Sequence, residues 1–265
     1  PVPMLALNST AESISTGGAP LYQFALAPED EARAAAHRAL AEGRRRAVTF
    51  VPAGEWGERV LQAFRSTFEA GGGRILASAA LSGNDFTAGI DSALRIDDSR
   101  ARHRRLQSVL NQPLAFQPRR RGDIDLLFAP GQTGFIETLR LQLKFQGAAD
   151  LPTFSTADAW DGEAAPELEG LIFPDLPWRI SPESDASIAL RSVLADAART
   201  AIPRGRLFAF GHDAWLLQDA LRRGESNLNI DGVTGRLSLG ADRRILRSMQ
   251  FVDIHDGLPR LLPEL

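Results

Sequence analysis

Four histidines, His37, His103, His212 and His255, are the side chains best suited to proton transfer or metal ligation near neutral pH, and their spacing serves neither. No HExxH or comparable ligand pattern is present, so no metal site is expected. His212 and Asp213, adjacent in FGHDAW, offer a dyad. No GxSxG elbow or Walker motif supplies a third partner, and Asp213 reads as a helix cap where a predicted strand meets a helix. Asp123 and Asp125 share one side of an extended segment beside Arg119, Arg120 and Arg121. They read as ion-pair partners rather than as the acid pair of a glycosidase, whose spacing and raised pKa a sequence does not reveal. With no cysteine, thiol nucleophiles, disulfides and thiolate metal sites are excluded. No catalytic residue and no cofactor is expected, and the chain does not read as an enzyme.

The run from Arg100 to Arg121 holds seven arginines, His103 and no acid, flanked by Asp97, Asp98, Asp123 and Asp125. Three readings follow: internal ion pairs, a protein-partner surface, and polyanion contact. Phe116 is the one aromatic inside the run, which is thin for single-strand nucleic-acid stacking. Arg102, Arg104, Arg105, Arg119, Arg120 and Arg121 are the candidate partner surface, because the planar guanidinium suits protein interfaces.

A second group of candidates sits on loops. Asn8, Ser9 and Thr10, then Trp56 in PAGEW, Gln132 and Thr133 in PGQTG, and Thr156 and Asp158 in FSTADAW each follow a predicted strand. In an open α/β sheet the carboxyl ends of parallel strands face the ligand crevice. Trp56, between Gly54 and Gly57, reads either as a pocket wall or as a plug for its loop.

The elements that must position these residues alternate. Strands are predicted at 2–7, 47–51, 75–80, 126–129, 153–155, 170–173 and 207–210, with helices between them, the pattern of parallel strands covered by helices. Pro28, then Glu29, Asp30 and Glu31, then Gly43 punctuate the first helix. Val60, Leu61, Phe64 and Phe68 mark the second, which Gly71, Gly72 and Gly73 end; that glycine run is a helix stop rather than a phosphate cradle. Further helices are predicted over about 85–94, 99–110, 133–145, 183–200 and 212–223. Past Asn227 apolar and polar residues alternate around glycine turns, so the tail should be antiparallel β.

In bulk, 265 residues with 44% hydrophobic and 24% charged content can bury a sizeable core without covalent staples. The net charge of -3 argues against a dedicated nucleic-acid binder. One lysine, Lys144, against 29 arginines carries no mechanism of its own. No uncharged run reaches the ~18 residues that span a bilayer.

The order of these pieces resembles the periplasmic-binding-protein type I fold: α/β, two doubly wound lobes with parallel sheets. PVPMLALN, EWGERV, FQPRRRGDIDLLF, QLKFQGAADLPTFST, FGHDAWLL and GVTGRLSL together look like the carboxyl-terminal domain of the LppC/LpoA lipoproteins, the penicillin-binding protein activators. PRRRGDID is the most specific phrase. The resemblance implies that lobe one is incomplete, with 1–24 and 175–228 forming what is here of it and 25–174 and 229–265 forming lobe two and the hinge return. It further implies a non-enzymatic regulatory module of an outer-membrane lipoprotein on the periplasmic face, held by an upstream lipid anchor. The implied partner is a class A penicillin-binding protein in peptidoglycan synthesis, with peptidoglycan or a small cleft ligand as further candidates and no nucleic acid. The alternative is a periplasmic solute-binding protein for a small polar or amino-acid-like ligand.

Overall fold

The computed structural model describes residues 2–8, 20–197, 205–225 and 227–265. In chain order the elements are β1 (Met4–Ala6), β2 (Leu21–Gln23), α1 (Pro28–Ala41), β3 (Arg46–Pro52), α2 (Glu55–Ala70), β4 (Arg74–Leu81), α3 (Thr87–Ala93), α4 (Ile96–Leu110), β5 (Leu126–Phe128), α5 (Thr133–Phe145), β6 (Thr153–Phe154), β7 (Leu171–Asp175), α6 (Pro177–Ile180), α7 (Asp185–Ala197), α8 (Arg206–Arg222), β8 (Asn229–Gly232), β9 (Gly235–Leu239), β10 (Ile245–Arg247), β11 (Gln250–His255) and β12 (Leu258–Leu261). They form two compact units: Pro1–Ala27, Pro174–Val252 and Leu261–Glu264 in the first, and Pro28–Phe173, Asp253–Arg260 and Leu265 in the second.

The second unit is built on a seven-stranded sheet of order β12-β11-β7-β6-β5-β3-β4, in which β4, β3, β5, β6 and β7 run parallel. β3 is buried along Ala47, Val48, Thr49, Phe50 and Val51, as a central parallel strand covered on both faces must be. The one polar side chain of that buried run, Thr49, donates to Ser78 Oγ at 2.8 Å. α1 and α2 pack on one another. Ala32, Ala35, Ala36 and Ala39 of α1 are fully buried at helical spacing, and such small side chains let a neighbouring helix approach closely. Phe64 of α2 stacks on Phe128 of β5 with ring centroids 4.0 Å apart, which ties helix to sheet. β11 and β12 close a hairpin through Asp256 and Gly257, whose φ values of 51° and 76° make the two-residue turn that Asp-Gly favours.

The first unit holds the parallel pair β1-β2 and the antiparallel order β10-β9-β8. Its core joins Phe24, Leu217, Leu221, Leu228, Leu237 and Ile245, with a neighbouring cluster of Leu176, Trp178, Ala209 and Val233. Asp213 is fully buried and accepts hydrogen bonds from Val233 N at 3.0 Å, Thr234 N at 2.7 Å and Thr234 Oγ1 at 2.5 Å. A carboxylate on α8 thereby holds the β8-β9 turn.

Two expectations change. The strand predicted at 207–210 is the first turn of α8, with Ala209 fully buried and Leu207 80% exposed, a contrast that helical rather than two-sided strand burial produces. Asp213 consequently lies in mid-helix, where it caps a β-turn instead of its own helix. The expectation places 229–265 in lobe two and the hinge return. Residues up to Val252 group with the first unit, because Leu228, Leu237 and Ile245 pack with α8. The short strand β2, unmarked by any alternation in the sequence, is added.

α2 starts so close to the end of β3 that a Cβ on Gly57 would stand 2.0 Å from the Pro52 carbonyl oxygen. A main-chain carbonyl cannot rotate away as a side chain can. Gly57→Ala should cost about 2 kcal/mol despite its better helix propensity, read as a lower urea midpoint at unchanged slope. An unchanged midpoint would mean that the helix start can shift freely.

Candidate functional site

In the second unit the chain runs from β3 outward to β4 and then returns to β5 on the other side of β3. The order therefore reverses between β3 and β5, and the crevice of an open α/β sheet lies beyond the carboxyl ends of strands at such a reversal. The two loops flanking it are Pro52–Glu55 and Pro130–Gln132; the loop after β6 comes next. Trp56, Gln132, Thr133, Thr156 and Asp158 are thus brought to one edge by consecutive neighbouring strands. Asn8 follows β1 in the first unit and is exposed. Ser9 and Thr10 lie outside the described residues.

Their placements differ. Trp56 is not on a loop: Gly54, at φ 117°, turns the chain and Trp56 falls in the first turn of α2, half-buried. Gln132 precedes the first residue of α5 and is exposed, while Thr133 opens that helix. Thr156 is fully buried, and its Oγ1 has no hydrogen-bond partner among the described residues. Asp158 lies exposed in the 3-10 turn Ala157–Ala159. Ser155 Oγ donates to the Ala129 carbonyl at 2.6 Å and links the ends of β5 and β6.

Glu31 was missed as a member of this edge. It is 2% exposed, and its Oε2 accepts from Ala157 N at 2.9 Å. In sequence it is the third acid of a helix start, where helix-dipole punctuation accounts for it fully. In the fold it carries negative charge to the start of the 3-10 turn. Of the residues named at this edge, Trp56, Gln132, Thr133 and Thr156 are uncharged while Asp158 and Glu31 are acids, which gives an α-carboxylate no cation among them, and Glu31 already takes one backbone donor there.

The His212–Asp213 pair does not form a triad. His212 Nδ1 lies 3.1 Å from Asp213 Oδ1, but the hydroxyl of Thr234 bonds to the aspartate rather than to the imidazole. A general base must contact the nucleophile, so the order of groups is the wrong one. Among the described residues no group of three or more His, Asp or Glu side chains could hold a metal ion, and no helix is long and apolar enough to cross a membrane.

The arginine run forms a separate feature of the second unit. Left-handed residues bracket α4, Arg95 at φ 58° and Asn111 at φ 50°, and the chain then returns extended toward β5. Arg119 N donates to Ser99 Oγ at 3.1 Å, Arg121 N donates to the Leu94 carbonyl at 2.9 Å, and Phe116 stacks on His103 with centroids 4.1 Å apart. Helix and return segment make one arm. Of its arginines, Arg100 bonds to Asp91 and to Asp97, Arg120 bonds to Asp150 at 2.7 Å and to the Gly147 carbonyl at 3.1 Å, and Arg121 grips Asp123 at 2.7 and 2.9 Å. Asp125 turns instead to β3, accepting from the Arg45 and Arg46 amides and from the Arg46 guanidinium. Arg102, Arg104, Arg105 and Arg119 are exposed and make no ion pair among the described residues. Triplet and helix therefore divide the proposed surface: two of its six arginines brace the fold.

The Arg121 guanidinium, first by hydrogen bonding and then by charge, lowers the Asp123 carboxyl from its ordinary 3.8 to about 2. A depressed folded value stabilises the native state above the unfolded pKa and loses that contribution as pH falls from about 4 to about 2. Arg121→Gln should return the Asp123 titration, followed by carboxyl NMR shifts, toward its ordinary value; a midpoint still near 2 would assign the depression elsewhere. For Trp56, Ala substitution should cost under about 2 kcal/mol, against the ~3–5 kcal/mol of a core aromatic such as Phe64. Urea unfolding of both variants compares them directly, and equal losses would make Trp56 a core residue.

The chain matches the family described as "LppC putative lipoprotein" over residues 1–257. It is 30% identical to the penicillin-binding protein activator LpoA of Pantoea ananatis over 97% of this chain and 40% of that protein. It is 27% identical to the protein of the same name from Klebsiella pneumoniae, over 97% and 38%. The chain thus spans about two-fifths of the length of these curated relatives. Its fold is that of the LpoA C-domain from Haemophilus influenzae, described as a regulator of PBP1A, with a TM-score of 0.67 at 20% identity over 98% of this chain and 74% of that one. A "putative branched-chain amino acid ABC transporter" from Chromobacterium violaceum superposes with a TM-score of 0.70 at 26% identity, over 96% and 73%. The parallel α/β sheet and a family match along nearly the whole chain lead to one conclusion: this chain belongs to the LppC lipoprotein family.

Proposed function

We propose that this chain is a regulatory module of a lipoprotein that stands on the periplasmic face of the outer membrane and stimulates a class A penicillin-binding protein, and that it catalyses no reaction itself. The observation that carries this reading is the 30% identity, along 97% of the chain, to a protein named as a penicillin-binding protein activator. The chemistry is consistent with it. The aspartate of the His212–Asp213 pair is spent on holding a turn, and an activator needs a protein surface rather than a nucleophile.

A solute-binding role is the second reading. It is favoured by the likeness to the Chromobacterium violaceum protein and by the buried, unpartnered hydroxyl of Thr156 beside the crevice edge. Glu31 on Ala157 N weighs against a ligand carboxylate at that point.

Two measurements separate them. Purified full-length lipoprotein should bind a class A synthase and raise its glycan-strand crosslinking; no binding and no stimulation would sink the activator reading. Amino acids and muropeptides should leave the melting temperature unchanged. A ligand present at about a hundred times its Kd would add about 2.7 kcal/mol of stability, so a saturable upward shift would favour the solute-binding reading.

A further inference from the structure

The arm from α4 to Arg121 carries two kinds of exposed side chain that the fold itself leaves unused. Ile96 and Ser99 are the buried residues of α4, and His103 lies half-buried under Phe116, so the inner face of the helix runs along these positions. At 100° per residue, Arg102, Arg105, Leu106 and Val109 fall together on a neighbouring outer strip, at i, i+3, i+4 and i+7. Leu106 is 54% and Val109 74% exposed, and Leu110 at the tip is 53% exposed. Arg104 projects from the opposite flank, beside Ser108. Of the helix's four arginines, Arg100 is paired with Asp91 and Asp97, and the other three are thereby separated into two that border aliphatic side chains and one that does not.

We propose that the strip Arg102–Arg105–Leu106–Val109 is a docking surface for an acidic protein face carrying a shallow apolar depression, with Leu110 at its rim. The proposal rests on the activator reading above and names the part of the chain that meets the partner. Charge complementarity selects the occupant. The chain is net -3, yet this arm has no acid between Arg100 and Arg121, and Arg102 and Arg105 make no ion pair among the described residues. Unneutralised arginines repel a second copy of the same arm and attract carboxylates, while the aliphatic pair beside them, toward the tip, is matched by apolar contact rather than by solvent. An anionic bilayer is the poorer fit. Three aliphatic side chains without an exposed Trp or Phe on the strip give little to insert, and the rest of the chain is acidic. Such a surface divides labour: charges at the edge speed encounter, and the desolvated aliphatics slow departure.

The experiment measures association of full-length lipoprotein with the purified class A synthase by surface plasmon resonance, alongside crosslinking by the synthase. Arg102→Glu with Arg105→Glu should lower the association rate about tenfold at low ionic strength, with the gap from wild type closing as salt rises. Leu106→Ser with Val109→Ser should chiefly speed dissociation. Arg104→Glu should do less than Arg105→Glu, and Arg102→Lys with Arg105→Lys should retain most of the association rate. Circular dichroism shows that each variant is folded. Wild-type binding together with unchanged kinetics in both double variants would overturn the docking surface while leaving the activator reading standing; failure of the wild type to bind would overturn both. Unchanged synthase binding, with loss of binding to vesicles containing phosphatidylglycerol, would reassign the strip to a lipid surface.

Discussion

The Asp125 carboxylate is the interaction on which the second unit depends. Parallel strands have no tight turn between them to set register, so the β3-β5 pairing must be specified by other contacts. Asp125 supplies them at the amino end of both strands. Its side chain takes the amides of Arg45 and Arg46 and both arms of the Arg46 guanidinium, its own amide bonds to the Arg46 carbonyl, and its carbonyl accepts from Arg44. These contacts hold the Asp125 carboxyl below the usual carboxylate range, the Arg46 hydrogen bond being the main cause. Once β3 and β5 are aligned there, their carboxyl ends are aligned too, and the crevice edge beside Trp56 and Gln132 follows.

The same node determines what the arginine triplet can do. Arg121 is taken by Asp123, two residues before Asp125, and Arg120 by Asp150 near the start of β6. Bracing the strand lead in this way fixes the base of the α4 arm, whose return segment is also tied to Ser99 and Leu94. Charges farther along the arm find no acid to neutralise them. The stretch PRRRGDID thus encodes an anchored base, and Arg102, Arg104 and Arg105 earlier in the run stay exposed.

The two candidate sites of the second unit answer different functional needs. The crevice edge has been partly filled from within, by Glu31 on Ala157 N and by Ser155 on Ala129 O, and it offers neutral hydroxyls and an amide more than charge. A fold shared with solute-binding proteins does not carry their ligand chemistry with it, since function belongs to the side chains of a site and not to the fold. The arm is the reverse case. Beyond Ile96 and Ser99 at its root it adds little to the core, and its outer side chains face solvent.

Much of the fold was legible because local physics and tertiary packing agree. The helix Thr133–Phe145, the stop at Gly71, the buried run of β3 and the antiparallel tail are all marked by spacing, glycine or β-branched content that needs no distant partner to be read. Where a segment was misread, packing over long sequence separation made the decision. LFAF at 207–210 is apolar enough for a strand, and only its contact with Trp178 and Val233 turns one side of it inward as a helix. Glu31 lies 126 residues from the amide it caps, so its role at the crevice edge has no local signature. The sequence alone determined which arginines crowd one segment. Which of them are spent on Asp91, Asp150 and Asp123, and which face solvent beside Leu106 and Val109, depended on where the fold brings the acids, and only the tertiary structure decided that.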